Sequence, residues 1–202
     1  LIEGYKWDIG VYVLVTSLQP LRVYYYDDLL LRFCTQPWAG LDASKVDTYV
    51  IADDYTSPWD LAAFERYKLH AGQHVKPWLQ NYFDVTAPRA DWQAHLTRHA
   101  TNAIRSVISH DLDYMTKDLD MWPDGQAHFF ELFRFDFVFD DKLNPFLMEV
   151  NMSPNLSPSV HPPLSDMFTR ILNDIAKIVA LDKGRDRRTF KRDEQYEMAN
   201  RG

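Results

Sequence analysis

The segment Phe130-Glu-Leu-Phe-Arg-Phe-Asp-Phe-Val-Phe-Asp140 alternates with a period of two over more residues than chance easily explains, which dictates a β-strand with two chemically different faces. Phe133, Phe135, Phe137 and Phe139 fall on one face, and Arg134, Asp136, Val138 and Asp140 on the other. In the following run, Pro145-Phe-Leu-Met-Glu-Val-Asn151, the same alternation sets Phe146, Met148 and Val150 on the apolar side and Leu147, Glu149 and Asn151 opposite. Pairing the two runs around Asp141-Lys-Leu-Asn144 with apolar faces matched puts Asp136 on the face of Glu149 and Asn151, because a slip of one residue would bury the carboxylates. Direct cross-strand neighbours lie about 5 Å apart at Cβ, close enough for three side chains to meet one small cation. All three offer oxygen, the donor that hard divalent ions such as Mg²⁺ prefer. Carboxylates that merely decorate a solvated sheet face satisfy the same pattern, and both readings stand on the residues alone.

The rest of the chain frames this hairpin. Val11-Tyr-Val-Leu-Val-Thr16 and Leu21-Arg-Val-Tyr-Tyr-Tyr26, divided by the turn Ser17-Leu-Gln-Pro20, read as strands, and Leu29 to Phe33 as a third strand of an antiparallel meander. Between 36 and 88, Pro37, Pro58 and Pro77 interrupt the pattern and leave room for short helices at most, one of them after Ser57-Pro58. From Asp91 onward, Trp92, Leu96, Ala100, Ala103, Ile104, Val107 and Ile108 recur at helical spacing and form a stripe expected to pack on the sheet. A second β unit covers 129–151. After a Pro-rich loop ending at Pro163, a last helix begins near Leu164 and carries Met167, Phe168, Ile171, Leu172, Ile175, Ile178 and Val179 on one face. Residues 183–202 are charged without an apolar face, as expected of a solvated helix or a disordered tail.

With 202 residues, 46% of them hydrophobic and 14% aromatic, the chain can bury one sizeable core, giving one α+β domain or a large piece of one. A net charge of −7 argues against a nucleic-acid backbone as the main partner. The single cysteine, Cys34, excludes an internal disulfide framework and fits a reducing compartment. No apolar run approaches the roughly 20 residues that span a bilayer, so a cytoplasmic protein without a membrane segment is expected.

Phe135-Asp-Phe-Val-Phe-Asp140 followed by Phe146-Leu-Met-Glu-Val-Asn-Met-Ser-Pro-Asn-Leu156 resembles the metal-binding signature of the tubulin tyrosine ligase-like proteins. Lys6-Trp-Asp-Ile-Gly-Val-Tyr-Val-Leu-Val-Thr-Ser17, then Pro20-Leu-Arg-Val-Tyr24 and Leu31-Arg-Phe33, resembles that family's central strand motif. The resemblance covers residues 1–181, with 182–202 as a charged tail. It implies an ATP-grasp-like fold of antiparallel sheets packed against helices, of which this chain is the C-terminal portion and lacks the first lobe. It also implies ATP- and Mg²⁺-dependent ligation, in which a protein carboxylate becomes an acyl phosphate that an amino acid's amine attacks. The corresponding partners are tubulin or another acidic protein tail, with glutamate as the amino acid and an association with the cytoskeleton. Position by position, Asp136, Glu149 and Asn151 match the magnesium ligands, Lys6 and Asp8 match nucleotide contacts, and Arg32 matches an arginine that holds the incoming amino acid.

The chain departs from this pattern at Gly10, where the family usually has arginine, and between Trp38 and Lys45, where a His-x-Thr-Asn stretch has no counterpart. Without that arginine, a positive charge near the phosphates is missing unless a neighbouring Lys or Arg reaches the same space. Three functions follow in order: a tubulin polyglutamylase or related tubulin-modifying ligase, a catalytically silent binding or scaffold protein on microtubules, and an ATP-grasp ligase for a small-molecule acid.

Overall fold

A computed structural model describes residues 1–61, 74–86, 92–117, 130–157, 164–181 and 190–192. Six strands form one sheet: β1 Trp7–Leu18, β2 Leu21–Tyr26, β3 Leu30–Phe33, β4 Glu131–Phe139, β5 Pro145–Met152 and β6 Phe190–Arg192. Among the described residues three α-helices accompany it: α1 Val75–Thr86, α2 Trp92–Thr116 and α3 Ser165–Ala176, the last running into a π-helical turn at Lys177–Leu181. The sheet order is β5-β4-β1-β2-β6, and β3 pairs with β1 beside that path. All pairings are antiparallel.

The three N-terminal strands are therefore not a simple meander. Twelve residues make β1 long enough to pair twice along one edge, with β3 through Trp7–Gly10 and with β2 through Val13–Leu18. Its other edge takes β4, which arrives from more than a hundred residues downstream. Gly10, at the middle of this junction, has β3 on one side and Asp136 of β4 on the other.

Alternation along the strands sorts two cores. On one face Trp7, Ile9, Val13, Val15, Val23, Leu31, Phe33, Phe135 and Phe137 pack with α1 and α2, where Trp92, Leu96, Ala100, Ile104 and Ile108 are buried as their spacing predicts. On the opposite face Tyr12, Leu14, Tyr24, Tyr26, Leu30 and Leu132 pack under Met167, Phe168, Ile171 and Ile175 of α3. Leu172 and Val179, expected on that apolar face, are instead 51% and 38% exposed, because the stripe that meets the sheet is narrower than the run of apolar residues.

Helix α1 is longer than the expected short helices, and its start is fixed from a distance. Oδ1 of buried Asp28 accepts hydrogen bonds from the backbone N–H groups of Val75 and Lys76, satisfying free donors of the first turn as an N-cap does. Ser57-Pro58 opens a 3-10 turn, Pro58–Asp60, where proline was expected to begin a short helix. Residues 190–192 of the charged tail form a strand on the open edge of β2 rather than a solvated helix or a disordered segment, because that edge offers unpaired backbone groups. Phe129, the loop residues 158–163 and most of 182–202 lie outside the described residues.

Candidate functional site

The β4–β5 hairpin forms with Asp136 directly opposite Glu149, the register expected from face matching, and Arg134 opposite Asn151. The turn is held by Asp140, whose Oδ1 accepts from the backbone N–H groups of Lys142 and Asn144 and whose Oδ2 accepts from the Asn144 amide. Beyond the Asp136–Glu149 pair the register shifts, and Leu147 stands opposite Phe137. The extra residue corrects the simple alternation of β5. Leu147 joins Val150 against the core, while Phe146 and Met148 are 56% and 47% exposed. Such a bulge bends its strand and re-aims the neighbouring side chains, here turning Glu149 toward Asp136 while Leu147 stays inward.

The polar face of this junction carries a compact charge cluster beside the α3 core. Asp8 of β1, Arg32 of β3 and Asp136 of β4 are buried, at 1%, 7% and 0% exposure. Arg32 forks onto Asp8, with Nε donating to Oδ1 at 2.8 Å and Nη2 to Oδ2 at 2.9 Å, and Nη2 also donates to Asp136 Oδ2 at 2.9 Å. Arg134 forks onto Asp136 from the same strand, Nε to Oδ1 at 2.7 Å and Nη2 to Oδ2 at 2.9 Å. The Asn151 amide completes the set, its Nδ2 donating to Asp136 Oδ2 at 3.1 Å and to Glu149 Oε1 at 3.0 Å. Asp136 thus accepts four hydrogen bonds, three at Oδ2 and one at Oδ1, which leaves acceptor capacity at Oδ1.

Burial shapes the ionisation here. It pushes the Asp8 carboxyl up to about 6 against the pull of the Arg32 fork. Burial also opposes the charge on Arg134, but the hydrogen bonds and charge of Asp136 outweigh it and hold the guanidinium protonated. Tyr12, next to Arg134 on the floor of the cluster, is pushed up to about 12 by burial, against the opposing pull of the Arg134 charge and of a side-chain hydrogen bond with Arg134.

Of the six residues expected to form the site, five meet: Asp136, Glu149 and Asn151 converge, and Asp8 and Arg32 join them through buried ion pairs. Lys6 is bonded to none of the five, its Nζ donating to the Tyr49 carbonyl. Arg134 was not singled out by sequence reasoning. Its signal was the glycine across the sheet: a Cβ on Gly10 would meet Arg134 Cδ at 2.8 Å and Cγ at 3.1 Å, so the space left by the missing side chain holds the stem of an arginine.

The donor set suits a hard divalent cation. Asp136 Oδ2 and Glu149 Oε1 both lie within 3.1 Å of one atom, Asn151 Nδ2, which bridges them as a cation can. Half a turn of that amide exchanges its nitrogen for an oxygen at the same point, giving three oxygen donors. No group of three or more His, Cys, Asp or Glu among the described residues is arranged for a metal, so a cation held here would depend on two carboxylates and an amide.

A family model for the tubulin-tyrosine ligase family matches residues 1–188. The chain belongs to that family. Over 187 residues it is 37% identical to a probable tubulin polyglutamylase, ttll-15, of Caenorhabditis elegans, covering 90% of this chain and 35% of that protein. It is 31% identical over 175 residues to tubulin polyglutamylase TTLL5 of Mus musculus, covering 76% of this chain and 12% of that protein. It is 25% identical over 179 residues to tubulin glycylase 3D of Tetrahymena thermophila, covering 89% of this chain and 16% of that protein. The chain thus spans about a third or less of these relatives. No helix among the described residues is long and apolar enough to cross a membrane.

Proposed function

We propose that this chain contributes the magnesium and phosphate end of an ATP-dependent amino acid ligase that modifies a protein carboxylate, with tubulin glutamylation as the reaction. The observation that carries the reading is the meeting of Asp136, Glu149 and Asn151 around one point on the polar face of the β4–β5 hairpin. Family membership supplies the reaction class, since the relatives bear the names of tubulin polyglutamylases and a tubulin glycylase.

In this reading Asp136, Glu149 and Asn151 would hold Mg²⁺, and the chemistry it would supply when bound is neutralisation of phosphate charge. Arg32, whose Nε and Nη2 are held by Asp8 and Asp136, keeps Nη1 to meet the amino acid's carboxylate with a charge-assisted hydrogen bond. Because Asp8, Arg32 and Asp136 are buried and mutually bonded, their charges are oriented before substrate arrives, and preorganised charge is the main resource of phosphoryl chemistry. The sheet, covered by α1 and α2 on its far face, gives the cluster a rigid base.

The test is incorporation of radiolabelled glutamate into tubulin by the full-length protein with ATP and Mg²⁺. Incorporation that disappears on removing either component supports the reading, and none into tubulin or another acidic protein contradicts it.

A second reading has its own observation. Both oxygens of Asp136 are taken by guanidiniums, so a cation must compete for them, which favours a catalytically silent scaffold on microtubules. Nucleotide binding without turnover, and cellular function untouched by Glu149→Gln, support that reading; label incorporation rejects it.

A further inference from the structure

We propose that Arg134 is an anion-contact residue of this site, seated by Gly10: the guanidinium resting on Asp136 receives a phosphate oxygen once a divalent cation engages Asp136 and Glu149. This rests on the nucleotide-site reading above and adds a residue to it.

Gly10 is the first ground. Among the described residues the positive-φ glycines are Gly4 and Gly40, so Gly10 sits in ordinary strand backbone that any residue could adopt, and backbone freedom does not account for it. Space does. A side chain there would press on Arg134 Cδ, Arg134 Cγ and Asp136 Oδ1, at 2.8, 3.1 and 3.1 Å from the Cβ. In the first half of β1, between β3 and β4, the missing side chain lets an arginine lie across the sheet with its fork inside the carboxylate cluster.

The second ground is the inequality of the two arginines. Arg32 is bonded to Asp8 and to Asp136, so it keeps a carboxylate whatever happens at Asp136. Arg134 forms its ion pair with Asp136 alone among the described residues. A cation that draws on Asp136 leaves Arg134 as the charge in need of a new partner.

Charge balance fixes what that partner is. Asp8, Asp136 and Glu149 against Arg32 and Arg134 carry a surplus of one negative charge, and a divalent cation turns it into a surplus of one positive. A partly buried guanidinium beside a bound cation calls for an oxygen-rich anion, and its planar fork matches two phosphate oxygens. Arg134 therefore ties cation and anion together: its hold on Asp136 weakens the cation alone, and its release favours the cation and phosphate arriving as one ligand.

The experiment measures two affinities on the full-length protein and its variants: Mn²⁺ without nucleotide, by electron paramagnetic resonance, and Mg²⁺ with a non-hydrolysable ATP analogue, by calorimetry. Arg134→Gln removes the charge and is expected to weaken the analogue about 10- to 100-fold, as for a lost charge-assisted bond, while Mn²⁺ alone binds as well as or better than to wild type. A loss for the analogue without a loss for Mn²⁺ cannot come from loosened folding, which weakens both. Gly10→Ala, which keeps the arginine and displaces it, is expected to weaken the analogue in the same direction and serves if Arg134→Gln does not fold. An analogue affinity within about twofold of wild type in either variant, or a parallel loss of Mn²⁺ and analogue, overturns the proposal while leaving the nucleotide site intact. Failure of the wild-type protein to bind the analogue overturns both.

Discussion

Two guanidiniums and an amide converge on the buried carboxylate of Asp136. Asp136→Ala strands Arg134 without its acidic partner and takes one from Arg32, and breaking a buried pair in this way costs about 3–5 kcal/mol. Chemical denaturation should report that loss. Glu149 is exposed, and Glu149→Gln should change stability by no more than about 0.5 kcal/mol in the same measurement. Asp8 adds a pH dependence. Burial puts its folded pKa at about 6, above its ordinary value of 3.8, so the folded state holds that proton more tightly. Stability is then highest below about pH 4 as far as this group is concerned and falls as pH rises to about 6, by roughly 3 kcal/mol. Asp28, raised chiefly by burial as well, contributes in the same direction. Unfolding titrations of wild type and Asp8→Asn between pH 4 and 7 should show a shallower fall in the variant.

At the scale of elements, the bulge in β5 decides which side chains reach the core. Leu147→Asp, facing Phe137, should cost several times more stability than Met148→Asp, the adjacent residue on the exposed side, in paired thermal melts. Strict alternation assigns the opposite order, which marks the limit of reading β5 from its residues. The strands, the α2 stripe and the facing of Asp136 with Glu149 and Asn151 were legible, because each follows from period and face matching over neighbouring residues. What was not legible depends on contacts distant in sequence. The pairing of β1 with both β3 and β4 is one case, the capping of α1 by Asp28 another, and the arginine filling the space at Gly10 a third. Gly10 could be read from the sequence as a departure from the family pattern, but the residue that fills its space lies 124 positions away.

At the scale of the molecule, one sheet separates two tasks. Its far face is closed by α1 and α2 and supplies stability, and its near face is shared between α3 and the charge cluster. Ligands that bind only the folded site should therefore stabilise the whole chain: Mg²⁺ with an ATP analogue at a hundred times its dissociation constant adds about 2.7 kcal/mol, seen as a higher unfolding temperature that EDTA abolishes. The most direct measurement of the central claim is Mn²⁺ binding to wild-type and Glu149→Gln proteins in the presence of the ATP analogue. If Asp136, Glu149 and Asn151 share one cation, the variant binds Mn²⁺ at least about tenfold more weakly with its fold unchanged. Equal affinity in the two proteins would contradict the account.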